Sequence, residues 1–219
     1  MINWTLLIES LPGLLKGALV NINIAFFSLI LGSILSIFLA LMEESKRLIL
    51  RRFSFFYSTI FRGTPMIVQI MFVFYGLPQL GIHLSPLVSV ILAIGLNSAA
   101  YLSQVIRSGL KGISKMQYHS AKSLGMTTWQ SYRYIIFPQC IRNILPALGN
   151  EGVTLLKDSS LASVVGVVEI VKLGAIIRGR TFEAFTVLLA VALVYLLMTT
   201  LLSLFIKTLE KRSEKPCSL

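Results

Sequence analysis

The chain has 219 residues, of which 55% are hydrophobic and 13% charged, and its mean hydropathy is +0.80. That balance cannot supply the polar surface a soluble domain of this size needs. The formal net charge of +11 would suit a nucleic-acid partner, but the basic residues are bunched between long apolar stretches, so no nucleic acid is expected.

Charge punctuates the chain. No Asp, Glu, Lys or Arg lies between Lys16 and Glu43, between Arg62 and Arg107, or between Glu183 and Lys207. A helix needs about 20 apolar residues to cross the hydrocarbon core. The first and third gaps each predict one such helix. The second predicts two, with a break from Gly76-Leu77-Pro78 through Ser85-Pro86. A shorter apolar stretch at 153–171, interrupted by Lys157 and Asp158, predicts one more. The expected fold is all-α: a polytopic membrane protein with about five transmembrane helices, residues 1–219 forming one transmembrane domain. Continuous apolarity without period-two alternation argues against a membrane barrel. The first gap is too long for a cleaved leader, no Lys or Arg precedes Lys16, and no small-residue cleavage pattern ends the gap.

Basic residues set an expected orientation. Lys46, Arg47, Arg51 and Arg52 precede the second helix. Arg107, Lys111, Lys115, Lys122, Arg133 and Arg142 lie between the third and fourth, and Lys207, Lys211, Arg212 and Lys215 come after the last. With five crossings all of these fall on one side, and cytoplasmic loops carry such an excess. The N-terminus is then outside and the C-terminus inside. Lys172, Arg178 and Arg180 face outward in this scheme, against the trend.

The connection at 111–145 is long, and long ordered connections are usually functional. It reads as two short helices. Ser114-x-x-Gln117 and Thr127-x-x-Gln130 both fit the capping-box pattern. Gly125 falls between them, where a left-handed residue is needed. Pro138 and Pro146 would each stop or kink the helix at their positions. Trp129, Tyr132, Phe137 and the pair Ile135-Ile136 give the second helix an apolar face. Such a face suits either lipid headgroups or a docked protein.

Several segments together resemble a known family. Gln117-Tyr118-His119-Ser120-Ala121-Lys122-Ser123-Leu124-Gly125, with Ile136-Phe137-Pro138 further on, resembles the cytoplasmic loop of ABC-importer permeases, which typically reads Glu-Ala-Ala, then Gly after three more residues, then an aliphatic-Pro end. Phe61-Arg62-Gly63-Thr64-Pro65 with Gln69 resembles the start of the second helix in the polar amino acid uptake family of such permeases. So do Asn97-Ser98-Ala99-Ala100-Tyr101, Leu145-Pro146-Ala147-Leu148-Gly149-Asn150 and Leu156-Lys157-Asp158-Ser159-Ser160-Leu161. The matches occur in family order over about residues 10 to 210.

The resemblance implies a permease subunit of a bacterial inner membrane that pairs with itself or with a close homologue. ATP-binding-cassette ATPase subunits would dock on a coupling segment that includes Gln117, His119, Ser120, Ala121, Gly125 and Pro138. An extracytoplasmic solute-binding protein would deliver an amino acid, with arginine, glutamine and histidine as the candidates. No Gly-x-x-x-x-Gly-Lys-Ser/Thr phosphate loop occurs here, so ATP hydrolysis would belong to a separate subunit. Two departures stand out: His119 replaces the loop's usual Glu and Ser120 its first Ala. Gln104 also sits where many relatives carry Glu.

Polar groups at membrane depth mark the candidate substrate site, because a charge there costs roughly 2.5–3.5 kcal/mol on insertion scales. Glu151, Thr154 and Asp158 sit at i, i+3, i+7 and share a helix face. Adjacent Lys157 and Asp158 could match the carboxylate and ammonium of an amino acid, or form a structural pair near a helix end. Asn97, Tyr101 and Gln104 sit at i, i+4, i+7 as one polar stripe, suited to substrate or to interhelical hydrogen bonds. Arg62, beside Gly63 and Pro65, suits a carboxylate or an interfacial anchor. No cofactor, metal or catalytic group is expected. His83 and His119 lie far apart, as do Cys140 and Cys217. The competing reading is a secondary transporter or channel subunit independent of an ATPase, which the lack of a detectable internal repeat disfavours.

Overall fold

The computed structural model describes residues 2–213, so Lys215 and Cys217 lie outside the described residues. Helix α1 (Trp4–Glu43) opens the chain, capped by the Asn3 side chain, which accepts from the Leu6 N–H at 3.1 Å. Its 40 residues reach roughly 60 Å, about twice the hydrocarbon thickness. It therefore starts well before the uncharged gap that predicts it.

Helix α2 (Leu48–Gly63) and helix α3 (Met66–Met71) come next, the latter running on through a π turn at Phe72–Gly76 and a 3-10 turn at Leu77–Leu80. The axis turns by 105° between α2 and Met66–Leu80. Thr64 and Pro65 are both extended at that corner, since proline lacks an N–H and pushes its predecessor out of the helical region. Helix α4 (Pro86–Lys111) starts at the expected break, with Ser85 as its cap and Pro86 in its first turn.

Helices α5 (Lys115–Ser123) and α6 (Thr128–Ser131) fill the long connection. A π turn at Tyr132–Ile136 then carries the chain straight into α7 (Phe137–Asp158). Pro138 lies in the first turn of α7 and stops nothing, while Pro146 sits within the helix. A 3-10 segment at Ser159–Val165, α8 (Ile170–Thr181) and α9 (Ala184–Ser213) complete the fold.

The all-α expectation holds, with three helices long and apolar enough to span a membrane and up to five spans if each bent pair counts as one. The fourth span differs from its expectation. It is built from Thr128–Val165 and Ile170–Thr181, bent by 52°, and not from a helix over 153–171. Lys157 and Asp158 consequently occupy the last turn of α7 and do not interrupt its middle. The helix tightens immediately after them and stops at Gly166, whose φ of 84° is left-handed.

Contacts fix how the helices run. Ser28 Oγ donates to Ile91 O at 3.3 Å, Gly32 faces Ser98, and Glu43 pairs with Arg107. The partners advance together along both chains, so α1 and α4 are parallel, and the bent α2–α3 unit between them supplies the return crossing. Small residues permit this approach, as is usual between membrane helices. A Cβ on Gly95 would lie 2.7 Å from Leu31 Cδ2, closer than atoms can sit. Helix α7 runs antiparallel to α4, with Gly109 near Ile144 at one end and Ser98 near Glu151 at the other. Ile24, Ile70, Val90, Ile94 and Leu155 form the shared core. Outward-facing Phe26, Ile37, Phe56, Leu188, Leu196 and Phe205 stay exposed, as expected of surface that meets acyl chains.

Candidate functional site

The residues singled out from the sequence fall into three places. The first is a cleft of about 540 Å³ lined by Glu43, Phe55, Ser58, Thr59, Arg62, Gly63, Tyr101, Gln104 and Arg107. Helix α2 contributes Ser58 and Arg62 one turn apart, and α4 contributes Tyr101 and Gln104. The Arg62 guanidinium stands 5.3 Å from the centre of the Tyr101 ring, within range of a cation–π contact. Gln104 Nε2 donates to Glu43 Oε2 at 2.8 Å.

Asn97 does not join that cleft. Its Nδ2 donates to Phe61 O at 2.8 Å and to Gln69 Oε1 at 3.0 Å. Gln69 in turn donates to Thr64 Oγ1 at 2.7 Å. Asn97 thus ties α4 to the α2–α3 corner, where two extended residues leave backbone groups without helical partners. The bend is tolerated at membrane depth only because such bonds satisfy it.

The second place is α7. Ser98 Oγ donates to Glu151 Oε1 at 2.6 Å. Thr154 bonds back to Asn150 O at 3.1 Å and is exposed. Lys157 is exposed and Asp158 half-buried, and among the described residues the two form no ion pair with each other or with another side chain. The face holding Glu151 lies against Ser98, and the cleft opens beyond Tyr101 and Gln104 of the same helix α4. Ser98 thus meets α7, Tyr101 faces the cleft with α2, and Gln104 borders both that cleft and a second cavity lined by Asn143 and Ala147 of α7.

The third place is the segment from α5 to the start of α7. Gly125 adopts φ 78°, and Met126 N–H reaches Ala121 O at 3.1 Å while Gly125 N–H reaches Lys122 O at 3.0 Å. This is a Schellman ending. Thr127 and Gln130 form the full capping box. Ser114 accepts from Met116 N–H at 3.3 Å without a return bond from Gln117 among the described residues. Ala121 is buried, whereas Gln117, His119, Ser120 and Pro138 are exposed. Met116, Leu124, Trp129 and Tyr134 are also exposed, Leu124 at 80%, so this segment displays apolar groups around a polar helix. Lys122 Nζ, 3.0 Å from Thr128 Oγ1, links α5 to α6.

Two further constellations emerge only from the fold. Arg107 of α4 binds Glu43 and, through Nε at 2.7 Å, Glu44. Glu43 and Arg107 each border an uncharged gap, a signal present in the sequence, but only the parallel run of α1 and α4 brings them together. The other is Glu169, fully buried. It accepts from the N–H groups of Val171 and Lys172, from Asn21 Nδ2 at 3.2 Å and from the Tyr195 hydroxyl at 3.2 Å. It caps α8 and joins that helix to α1 and α9.

Known proteins share this arrangement. The chain is 36% identical over 96% of its length, and 93% of the relative's, to the probable amino-acid ABC transporter permease protein YckA of Bacillus subtilis. It is 34% identical, covering 91% of itself and 92% of the relative, to the putative glutamine transport system permease protein GlnP of Rickettsia typhi. A crystal structure of an amino acid ABC transporter with histidines superposes with a TM-score of 0.90 at 32% identity, over 97% of this chain and 99% of that one. The family model described as binding-protein-dependent transport system inner membrane component matches residues 32–215. This chain belongs to that family of inner membrane transport components.

Proposed function

We propose that the chain is the permease subunit of an ATP-driven importer for a polar amino acid. The observation that carries the reading is the capped, outward-facing segment between α4 and α7, set between the two helices that hold most of the polar groups at membrane depth. It suits a docking element for an ATPase, with Leu124, Trp129 and Tyr134 as apolar contacts and Gln117, His119 and Ser120 as polar ones. Pro138 starts the helix that would carry the motion inward. The names of relatives favour an amino acid, with glutamine, arginine and histidine as the candidates.

The N-terminus would lie outside and the C-terminus in the cytoplasm, in keeping with the basic residues. The partners are two ATPase subunits, an extracytoplasmic binding protein and a second permease chain, identical or homologous. ATP binding would draw the ATPase subunits together and push α5 and α6. Because the π turn joins α6 to α7 without a break, that push would shift α7 against α4. Substrate would meet Asp158, Lys157, Thr154 and Glu151 on α7, then Tyr101, Gln104 and Arg62 in the cleft. The chain itself does no covalent chemistry. Co-purification with an ATPase subunit, and then uptake competed by a panel of amino acids, tests the reading. Uptake that persists without any ATPase would overturn it in favour of a secondary transporter.

A further inference from the structure

The cleft between α2 and the end of α4 holds donors that the protein does not use. Glu43 commits both carboxylate oxygens internally, one to Arg107 and one to Gln104. Arg107 is shared further with Glu44 at 2.7 Å. The charge left facing the cleft is the Arg62 guanidinium, which pairs with no carboxylate among the described residues. A guanidinium offers a planar fork of donors that matches a carboxylate. One helical turn away, Ser58 lines the same cleft and is only 6% exposed. Its hydroxyl is the single buried side-chain polar atom without a hydrogen-bond partner among the described residues. Buried polar atoms are almost always paired, and an unpaired one calls for a reason.

We infer that this cleft is a carboxylate-binding subsite, with Arg62 as the fork and Ser58 as a second donor, and that it favours amino acids with neutral or anionic side chains over cationic ones. The inference rests on the amino-acid reading above and narrows it. A cationic side chain finds no free carboxylate here, because Glu43 is already committed. Gln104 is the deciding neighbour. A carboxylate at that position would place negative charge against both Glu43 and a bound anion, and would offer a cation its missing partner. The Tyr101 ring, its centre 5.3 Å from the Arg62 guanidinium, lines the same cleft and supports the fork through a cation–π contact.

The test is equilibrium binding of L-glutamine, L-glutamate, L-arginine and L-glutaminamide to the purified complete transporter, without its binding protein. Glutamine and glutamate should bind more tightly than arginine, and glutaminamide, which lacks the carboxylate, should bind at least about tenfold more weakly than glutamine. Arg62→Gln should remove most of the difference between glutamine and glutaminamide. Gln104→Glu should shift preference toward arginine; because it exchanges the Gln104–Glu43 hydrogen bond for a repulsion, its profile is read on complex that assembles and elutes as the parental transporter does. If amino acids bind but both variants keep the parental profile, the carboxylate subsite is refuted while the permease reading stands. If no amino acid binds and none is taken up, both fall.

Discussion

Ser98 of α4 donates its hydroxyl to the Glu151 carboxylate of α7 at 2.6 Å. This joins the helix that leads into the connecting segment to the helix that leads out of it. Polar pairs between membrane helices contribute about 0.6 kcal/mol on average and up to about 1.7. Since the acceptor here is a carboxylate, a double-mutant cycle with Ser98→Ala and Glu151→Gln should give a coupling in the upper part of that range. Unfolding in mixed micelles provides the measurement, and a coupling near zero would mean that the two helices are held by packing alone.

Asp158→Asn and Lys157→Met should each impair uptake and leave assembly largely intact. Neither side chain has an ion-pair partner among the described residues, so the loss would fall on what they bind and not on the fold. Initial uptake rates, normalised to membrane-inserted protein, decide the matter. Normal rates in both variants would move the binding face elsewhere.

Gly125→Val should uncouple ATP hydrolysis from uptake, whereas His119→Ala should have a smaller effect. A Cβ at Gly125 meets nothing within 4 Å, so crowding is not the obstacle. The obstacle is φ 78°, which costs an L residue about 1–2 kcal/mol and a β-branched one more. His119 is exposed, and an exposed polar contact contributes about 0–1 kcal/mol. Substrate-stimulated ATPase activity of the reconstituted complex distinguishes the two. Full stimulation in Gly125→Val would show that the turn transmits nothing.

Reporter fusions should place Leu80 outside, Gly112 inside and Leu173 outside. The parallel run of α1 and α4 requires an odd number of crossings between them, and the bent α2–α3 unit supplies one. A cytoplasmic signal at Leu173 would mean that the bent pair containing α7 and α8 turns back before reaching the far side.

Much of the fold could be read from charge spacing, because a hydrocarbon interior excludes charge along the whole length of a span. The break from Gly76-Leu77-Pro78 through Ser85-Pro86 was legible for the same kind of local reason. The true start of α7 was not, since Arg142 and Lys157 lie within the helix and hide it from any test of continuous apolarity. The role of Asn97 was equally hidden. Its position in the i, i+4, i+7 stripe says which face it occupies, but only the fold reveals that Phe61 and Gln69 take up its amide. Glu43 and Arg107 are 64 residues apart, and nothing local links them.

Helix α1 is tied to its neighbours by different physics along its two halves. In its first half, α1 is joined through Asn21 to fully buried Glu169, whose carboxylate is held by backbone N–H groups, an amide and a phenol out of reach of water. At the other end, Glu44 and Lys111 are half open to solvent and meet at 3.8 Å. Mobile ions screen exposed charges strongly and buried ones hardly at all. Ionic strength thus acts as a one-sided dial on this protein: raising it weakens the Glu44–Lys111 contact beside the α5 segment and leaves the buried tie from α1 to α8 and α9 untouched, so salt would loosen the Glu44 end of α1 first.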